Sequence, residues 1–252
     1  MTGAALPWTG RLFLPGPWGR AFCLKFQMKY VFFRSACMAV LFAVGQMAHA
    51  QDLAVKIDHE SMSVGADGVT RITRFSERLV RRDDQSWLSR IIPAYAQEDA
   101  EHQRASKSHK HMDVNAAARW VARGTDGKLR VRIVDVHEKL VVDVLPTDYG
   151  NIGFDGRWST AAQLVDPSQL QRMKVSSRSA PAGARWYEGG SPNHRVWLLW
   201  DETGQYPRRI ESSNATGSQS KLMTVSREPM PQRLPWLGLA SYAQKEYADL
   251  LD

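Results

Sequence analysis

The chain has 252 residues, with 33 Lys and Arg against 26 Asp and Glu and a formal net charge of +7. Five of the basic residues (Arg11, Arg20, Lys25, Lys29, Arg34) and no acidic one fall in the first 50 positions, so the remainder is nearly balanced at +2, and the basicity that points to nucleic acid belongs to the N-terminal segment alone. Both cysteines, Cys23 and Cys37, lie there too, which excludes a disulfide framework, a zinc-thiolate site and a cysteine nucleophile from the rest.

Met28 to Ala50 has a basic start (Lys29, Arg34), an apolar middle (Ala36 to Val44) and a small-x-small end (Ala48, His49, Ala50), the three-part pattern of a secretory signal, so cleavage is expected before Gln51. The apolar stretch is shorter than the ~20 residues of a spanning helix, and no later segment is long and apolar enough to replace it. Residues 1–27, which precede a second methionine followed by a complete signal, read as an upstream start rather than a domain. The expectation is a soluble periplasmic product, residues 51–252, folded as one β-rich domain with no membrane span and no nucleic-acid partner. Its seven Trp and six Tyr against two Phe, Phe75 and Phe154, favour aromatics with a polar handle. Such residues suit a surface that meets lipid, sugar or protein, and they equally fill a core poor in Phe.

In chain order, Val69, Ile72, Phe75 and Leu79 fit a helical spacing about as well as a strand. Thr70, Thr73, the polar hinge 81–85 and the run Ser86 to Ile92 favour a hairpin. Residues 94–115 are polar and aperiodic and read as a long exposed loop. Leu129, Val131 and Ile133 alternate with Lys128, Arg130 and Arg132. Asp126-Gly127 marks a tight turn before them, and Leu140, Val142 and Val144 continue the alternation after His137-Glu138-Lys139, which together predict an antiparallel meander over 116–145. A second β-rich block is predicted with strands near 195–201, 207–213 and 219–227. Val196, Leu198 and Trp200 point one way and Trp197 and Leu199 the other, so both faces need cover. Leu239, Ala243, Tyr247, Leu250 and Leu251 recur at spacings of three and four, which predicts a covering C-terminal helix over 236–251.

Chemistry is sparse. His102, His109 and His111, with Met112 and Asp113, contain a His-x-His that places two imidazoles on one face of a strand and offers copper or zinc a site at His109 and His111. The flanking Lys107 and Lys110 favour a solvated loop instead. No metalloprotease, nucleophile-elbow, phosphate-loop or dinucleotide motif is present. Asp135, His137 and His194 have no spacing that brings them together, and Asn214-Ala215-Thr216 matches a glycosylation acceptor only by accident behind a bacterial-type leader.

The strands Leu129 to Ile133 and Leu140 to Leu145, then Phe154-Asp155-Gly156-Arg157-Trp158, then Trp197 to Asp201 followed by Tyr206-Pro207-Arg208-Arg209-Ile210, resemble the layout of periplasmic outer-membrane lipoprotein sorting proteins of the LolA kind. The hairpin from Glu77-Arg78-Leu79 to Arg90 resembles the related lipoprotein-sensing domains. The resemblance spans about residues 69–227. It implies a mostly β (α+β) fold, a curved antiparallel sheet or incomplete barrel closed by helices, sheltering acyl chains or another hydrophobic partner. The expected function is a non-enzymatic binding protein holding a hydrophobic ligand, lipoprotein or partner segment, with Trp120, Trp197, Leu199 and Trp200 as lining. The alternative is a metal-binding accessory protein of periplasmic electron transfer or cofactor assembly that uses His109 and His111.

Overall fold

The computed structural model describes residues 52–93, 112–114 and 116–250. Twelve strands form one sheet: β1 (Leu53–Val64), β2 (Thr70–Arg82), β3 (Gln85–Ile91), β4 (Ala118–Arg123), β5 (Leu129–Asp135), β6 (Leu140–Val144), β7 (Lys174–Val175), β8 (Ala184–Ser191), β9 (His194–Asp201), β10 (Tyr206–Asn214), β11 (Gln219–Arg227) and β12 (Ala243–Glu246). The order β12-β6-β5-β4-β3-β2-β1-β11-β10-β9-β8-β7 describes two antiparallel meanders joined where β1 pairs with β11. The sheet is curved and open, not closed into a barrel.

The turns follow local chemistry. Between β4 and β5, Gly127 supplies φ +78° and the Asp126 carboxylate accepts from the Lys128 N–H at 3.1 Å. Asp135 closes the next turn by accepting from the N–H groups of His137 and Glu138, so its role is a turn cap. The predicted hairpin at 69–92 forms as β2 and β3 around Asp83-Asp84.

Residues directly opposite on neighbouring strands share a face, so the register assigns every side chain. One face, named here for Leu79, carries Val55, Leu79, Leu88, Ile133 and Val142. The other, named for Val80, carries Ala54, Val80, Trp87, Val134 and Val141. The linker between the meanders covers the first meander's Leu79 face with Phe154 and with α1 (Trp158–Gln163), whose Ala161 joins Val121, Val131 and Val142 in the core. Beside it lies Arg81, 0% exposed, which donates to the carbonyl oxygens of Ala162 at 2.7 Å and Gly204 at 3.2 Å, while Ser86 Oγ donates to Ala161 O at 2.6 Å.

The predicted C-terminal helix is not formed. Pro235–Ser241 is a 3-10 turn, Ala243–Glu246 is β12, parallel to β6, and Tyr247–Leu250 is a second 3-10 turn. The apolar residues explain the difference. Trp236 and Leu239 pack on the Val80 face against Val80, Trp87, Val134 and Val141, whereas Tyr247 packs on the Leu79 face against Val121, Val131 and Val142. A helix has one apolar stripe and buries it against one face. This segment instead wraps the β6 edge, touches both faces and pairs the edge backbone on the way.

Asp201, at the end of β9, is 6% exposed and accepts from the N–H groups of Thr203 (3.1 Å) and Gly204 (2.6 Å) and from Arg208 Nε (2.7 Å). Arg208 is the extra residue of a β10 bulge between Pro207 and Arg209. Burial opposes the ionised carboxylate, but the Gly204 and Arg208 hydrogen bonds outweigh it and hold Asp201 below its ordinary value of 3.8.

Two outcomes are expected. Replacing Arg81 with Met leaves two buried carbonyls without this donor and lowers unfolding free energy by about 2–4 kcal/mol in urea titration, against about 1 kcal/mol for Ser86→Ala. Because the folded-state pKa of Asp201 is depressed, its contribution is fully present above the ordinary value of 3.8 and is lost as pH falls through the lower folded value. Asp201→Asn is therefore less stable than wild type at neutral pH, and the gap narrows in acid; a gap constant from pH 7 to 2 would contradict this assignment.

Candidate functional site

The Leu79 face changes character along β2. Reading every second residue away from the closed end gives Arg81, Leu79, Glu77, Phe75 and Thr73: buried core, then a charge, then an aromatic, then a polar rim. Phe75 belongs to a row of directly opposed residues that crosses six strands, Phe75, His59, Met223, Ile210, Leu198 and Tyr187. Only Leu198 of these is fully buried, and the other five are partly exposed. Since α1 lies over β3 and β4, this row is left as the floor of a groove. Its cavity, about 340 Å³, is lined by His59, Ser61, Phe75, Ile210, Ser212, Lys221 and Met223, together with Glu60 and Leu222.

His59 stacks on Phe75, with ring centroids 4.4 Å apart, and its Nε2 lies 2.8 Å from Glu77 Oε2. Arg90, opposite Glu77, sits over the other part of this group, its guanidinium carbon 3.7 Å from the Phe75 centroid.

A larger cleft of about 780 Å³ takes in Lys56, Asp58, Glu60, Arg74, Ser76 and Thr224 of the Val80 face together with His59, Phe75 and Arg90 of the Leu79 face. Its Val80-face polar groups are matched: Lys56 with Asp58 at 2.8 Å, Arg74 with Glu60 at 2.7 Å, and Ser76 Oγ donating to Asp58. Such a cross-strand ladder is what a solvated sheet face carries, so size alone does not make this cleft the stronger site.

The residues singled out in the sequence are dispersed. Trp120, on β4, points to the Val80 face, donates from Nε1 to Gln85 and packs beside Val80 and Trp87. Trp197 and Leu199 share the Val80 face of β9, six strands away in the sheet, where Arg178 lies over Trp197 and Trp186. Trp200 is buried on the Leu79 face. These four are therefore not brought together. His109 and His111 lie outside the described residues, as does His102. Met112, the candidate soft ligand beside them, packs against the core cluster of Val121 and Ile133. Among the described residues no group of three or more His, Cys, Asp or Glu is placed to hold a metal ion, and no helix is long and apolar enough to cross a membrane.

The sequence reading missed His59, Phe75, Ile210 and Met223. Each sits in an alternating strand, but only the register of three strand pairs aligns them.

No family profile matches the chain, and no curated protein matches it. Similar solved structures include PNGF-II (10% identity, TM-score 0.35), where the match covers 79% of this chain and 33% of that one, so this chain spans about a third of its length. A putative outer membrane lipoprotein-sorting protein domain from Vibrio parahaemolyticus matches at 8% identity and TM-score 0.32, over 74% of this chain and 89% of that one. A LolA superfamily protein from Nitrosomonas europaea matches at 9% identity and TM-score 0.29, over 74% and 88%. The solved structures similar to this chain thus include the group that the sequence resembles, at a distance where only this chain's own residues speak for its chemistry.

Replacing Phe75 with Ala removes the ring shared by His59 and Arg90. We expect a loss of about 3 kcal/mol or less, because the site is only partly buried, compared with about 3–5 kcal/mol for a fully buried Phe, measured by urea unfolding.

Proposed function

We propose that the chain is a non-enzymatic binding protein of the periplasm that holds the apolar part of a lipid, lipoprotein or partner-protein segment in the Leu79-face groove. The observation that carries this reading is the half-exposed row from Phe75 to Tyr187. Apolar and aromatic side chains aligned across six strands, beside a core already closed by α1 and Phe154, form a concentrated apolar surface of the kind that marks ligand or partner sites. The secretory pattern of Met28 to Ala50 supports the compartment. The groove's His59 imidazole is engaged with Glu77, its Nε2 2.8 Å from Oε2.

A ligand that binds only the folded state raises its stability, by about 2.7 kcal/mol at one hundred times its Kd. That corresponds to roughly 5–10 °C for a domain of this size. Twelve-carbon amphiphiles below their micelle concentration are expected to raise Tm, and Met223→Asp or Ile210→Asp is expected to abolish the shift by placing a carboxylate on the groove floor. Absence of a shift with every amphiphile, with a matching absence of binding by calorimetry, would overturn the proposal.

A further inference from the structure

The Val80 face carries an aromatic row of its own. Across β8, β9, β10, β11, β1 and β2 its directly opposed residues run Glu188, Trp197, Glu211, Leu222, Glu60 and Arg74, so one indole and one aliphatic side chain alternate with charged groups. A cavity of about 290 Å³ opens over this row, lined by Trp197, Leu222, Glu211, Glu60 and Arg209, with the opposed pair Ser213 and Ser220 towards its rim. Trp186 and Leu199 on the same face are each 8% exposed, whereas Trp197 keeps part of its surface open.

The charges around the indole are neutralised and held in place. Arg209 Nε donates to one oxygen of Glu211 at 2.7 Å and Arg178 Nη1 to the other at 3.1 Å, while Arg74 Nε donates to Glu60 at 2.7 Å. The Arg178 guanidinium also lies over the Trp186 and Trp197 rings, 4.4 and 5.6 Å from their centroids. Burial opposes the ionised form of Glu211, but the Arg209 and Arg178 hydrogen bonds outweigh it and hold the carboxylate below its ordinary value of 4.5. An ionised carboxylate has about four acceptor sites and a guanidinium five donors, so these pairs present little net charge to an ion and still donate and accept.

A solvated ion-pair ladder needs no aromatic ring, yet here a part-exposed indole lies between carboxylates on both neighbouring strands. A flat apolar surface edged by fixed, neutralised donors and acceptors complements a ring with C–H groups on its faces and hydroxyls on its edge. We propose that this cavity is a second binding site, on the opposite side of the sheet from the groove, and that it takes an uncharged sugar ring stacked on Trp197. Its hydroxyls meet Glu211 and Arg209 at the floor and Ser213 and Ser220 at the rim. The assignment stands apart from the groove and does not need a lipid there.

The test titrates the purified full-length protein by calorimetry with glucose, N-acetylglucosamine, cellotetraose and chitotetraose, using glucuronate, glucosamine and a tetra-alanine peptide as controls. A neutral saccharide is expected to bind, and Trp197→Ala to weaken it about tenfold or more while Trp197→Phe retains part of the affinity, the scale of one stacked and buried aromatic face. Phe75→Ala, on the other face of the sheet, should leave saccharide binding unchanged. On the unaltered protein, saturation-transfer NMR should mark the C–H protons of one sugar face above the rest, a readout independent of how well any variant folds. No binding by any neutral saccharide, equal transfer to all ring protons, or unchanged affinity in Trp197→Ala overturns the proposal. Tighter binding of glucuronate or glucosamine than of glucose overturns the uncharged class, and binding of the peptide alone overturns the sugar. Binding lost in Phe75→Ala and kept in Trp197→Ala moves the saccharide to the groove and overturns this site.

Discussion

The fold depends on one buried guanidinium. Arg81 sits at the closed end of β2 with none of its surface in water, and a charge so placed persists only if its donors are satisfied. Two of its bonds go to main-chain oxygens of different parts of the chain, Ala162 at the end of α1 and Gly204 in the β9–β10 turn. It therefore ties the linker and the second meander to the first at a single point. The network continues through the turn, because the Gly204 whose carbonyl Arg81 holds donates its N–H to Asp201, which in turn binds Arg208 in the bulge. Burial of Tyr206 beside Asp201 raises the phenol above its ordinary range, another mark of a water-poor junction.

The closed end fixes where the open end begins. α1, Phe154 and Tyr247 are used up in covering Val121, Val131 and Val142, and the C-terminal segment is committed to wrapping the β6 edge. Beyond Leu79 the same face of β2 runs on to Glu77 and Phe75. The central position of β1, paired to β2 on one side and β11 on the other, carries that face across into the second meander without a break in the ladder. The groove is thus a continuation of the core surface past the point where the cover ends.

Much of this was legible in the chain itself. Asp126-Gly127 and the alternation at 129–133 and 140–144 set the β4–β6 meander, because turn residue and period agree there. The strands at 195–201, 207–213 and 219–227 fall within a residue or so of β9, β10 and β11. β1 was overlooked although Val55, Ile57 and His59 alternate with Lys56, Asp58 and Glu60; its polar fraction is high because its Val80 face is an ion-pair ladder. The C-terminus misled for a different reason: apolar spacings of three and four arise equally when a segment crosses an edge and gives residues to both faces. The lining was the least legible part. Trp120 and Trp197 attract notice as large aromatics, but a groove is made of residues that share a face over many strands, and that depends on register, which no single segment encodes.

Because the groove floor is a hydrogen-bonded ladder, it is preformed, and a ligand does not have to order it at the moment of binding. In β4 the Cα direction of Arg119 is set by pairing with Leu88 on one side and Ile133 on the other, which holds the side chain on the Leu79 face. The sheet that closes the core at Arg81 therefore also fixes the face that Arg119 takes.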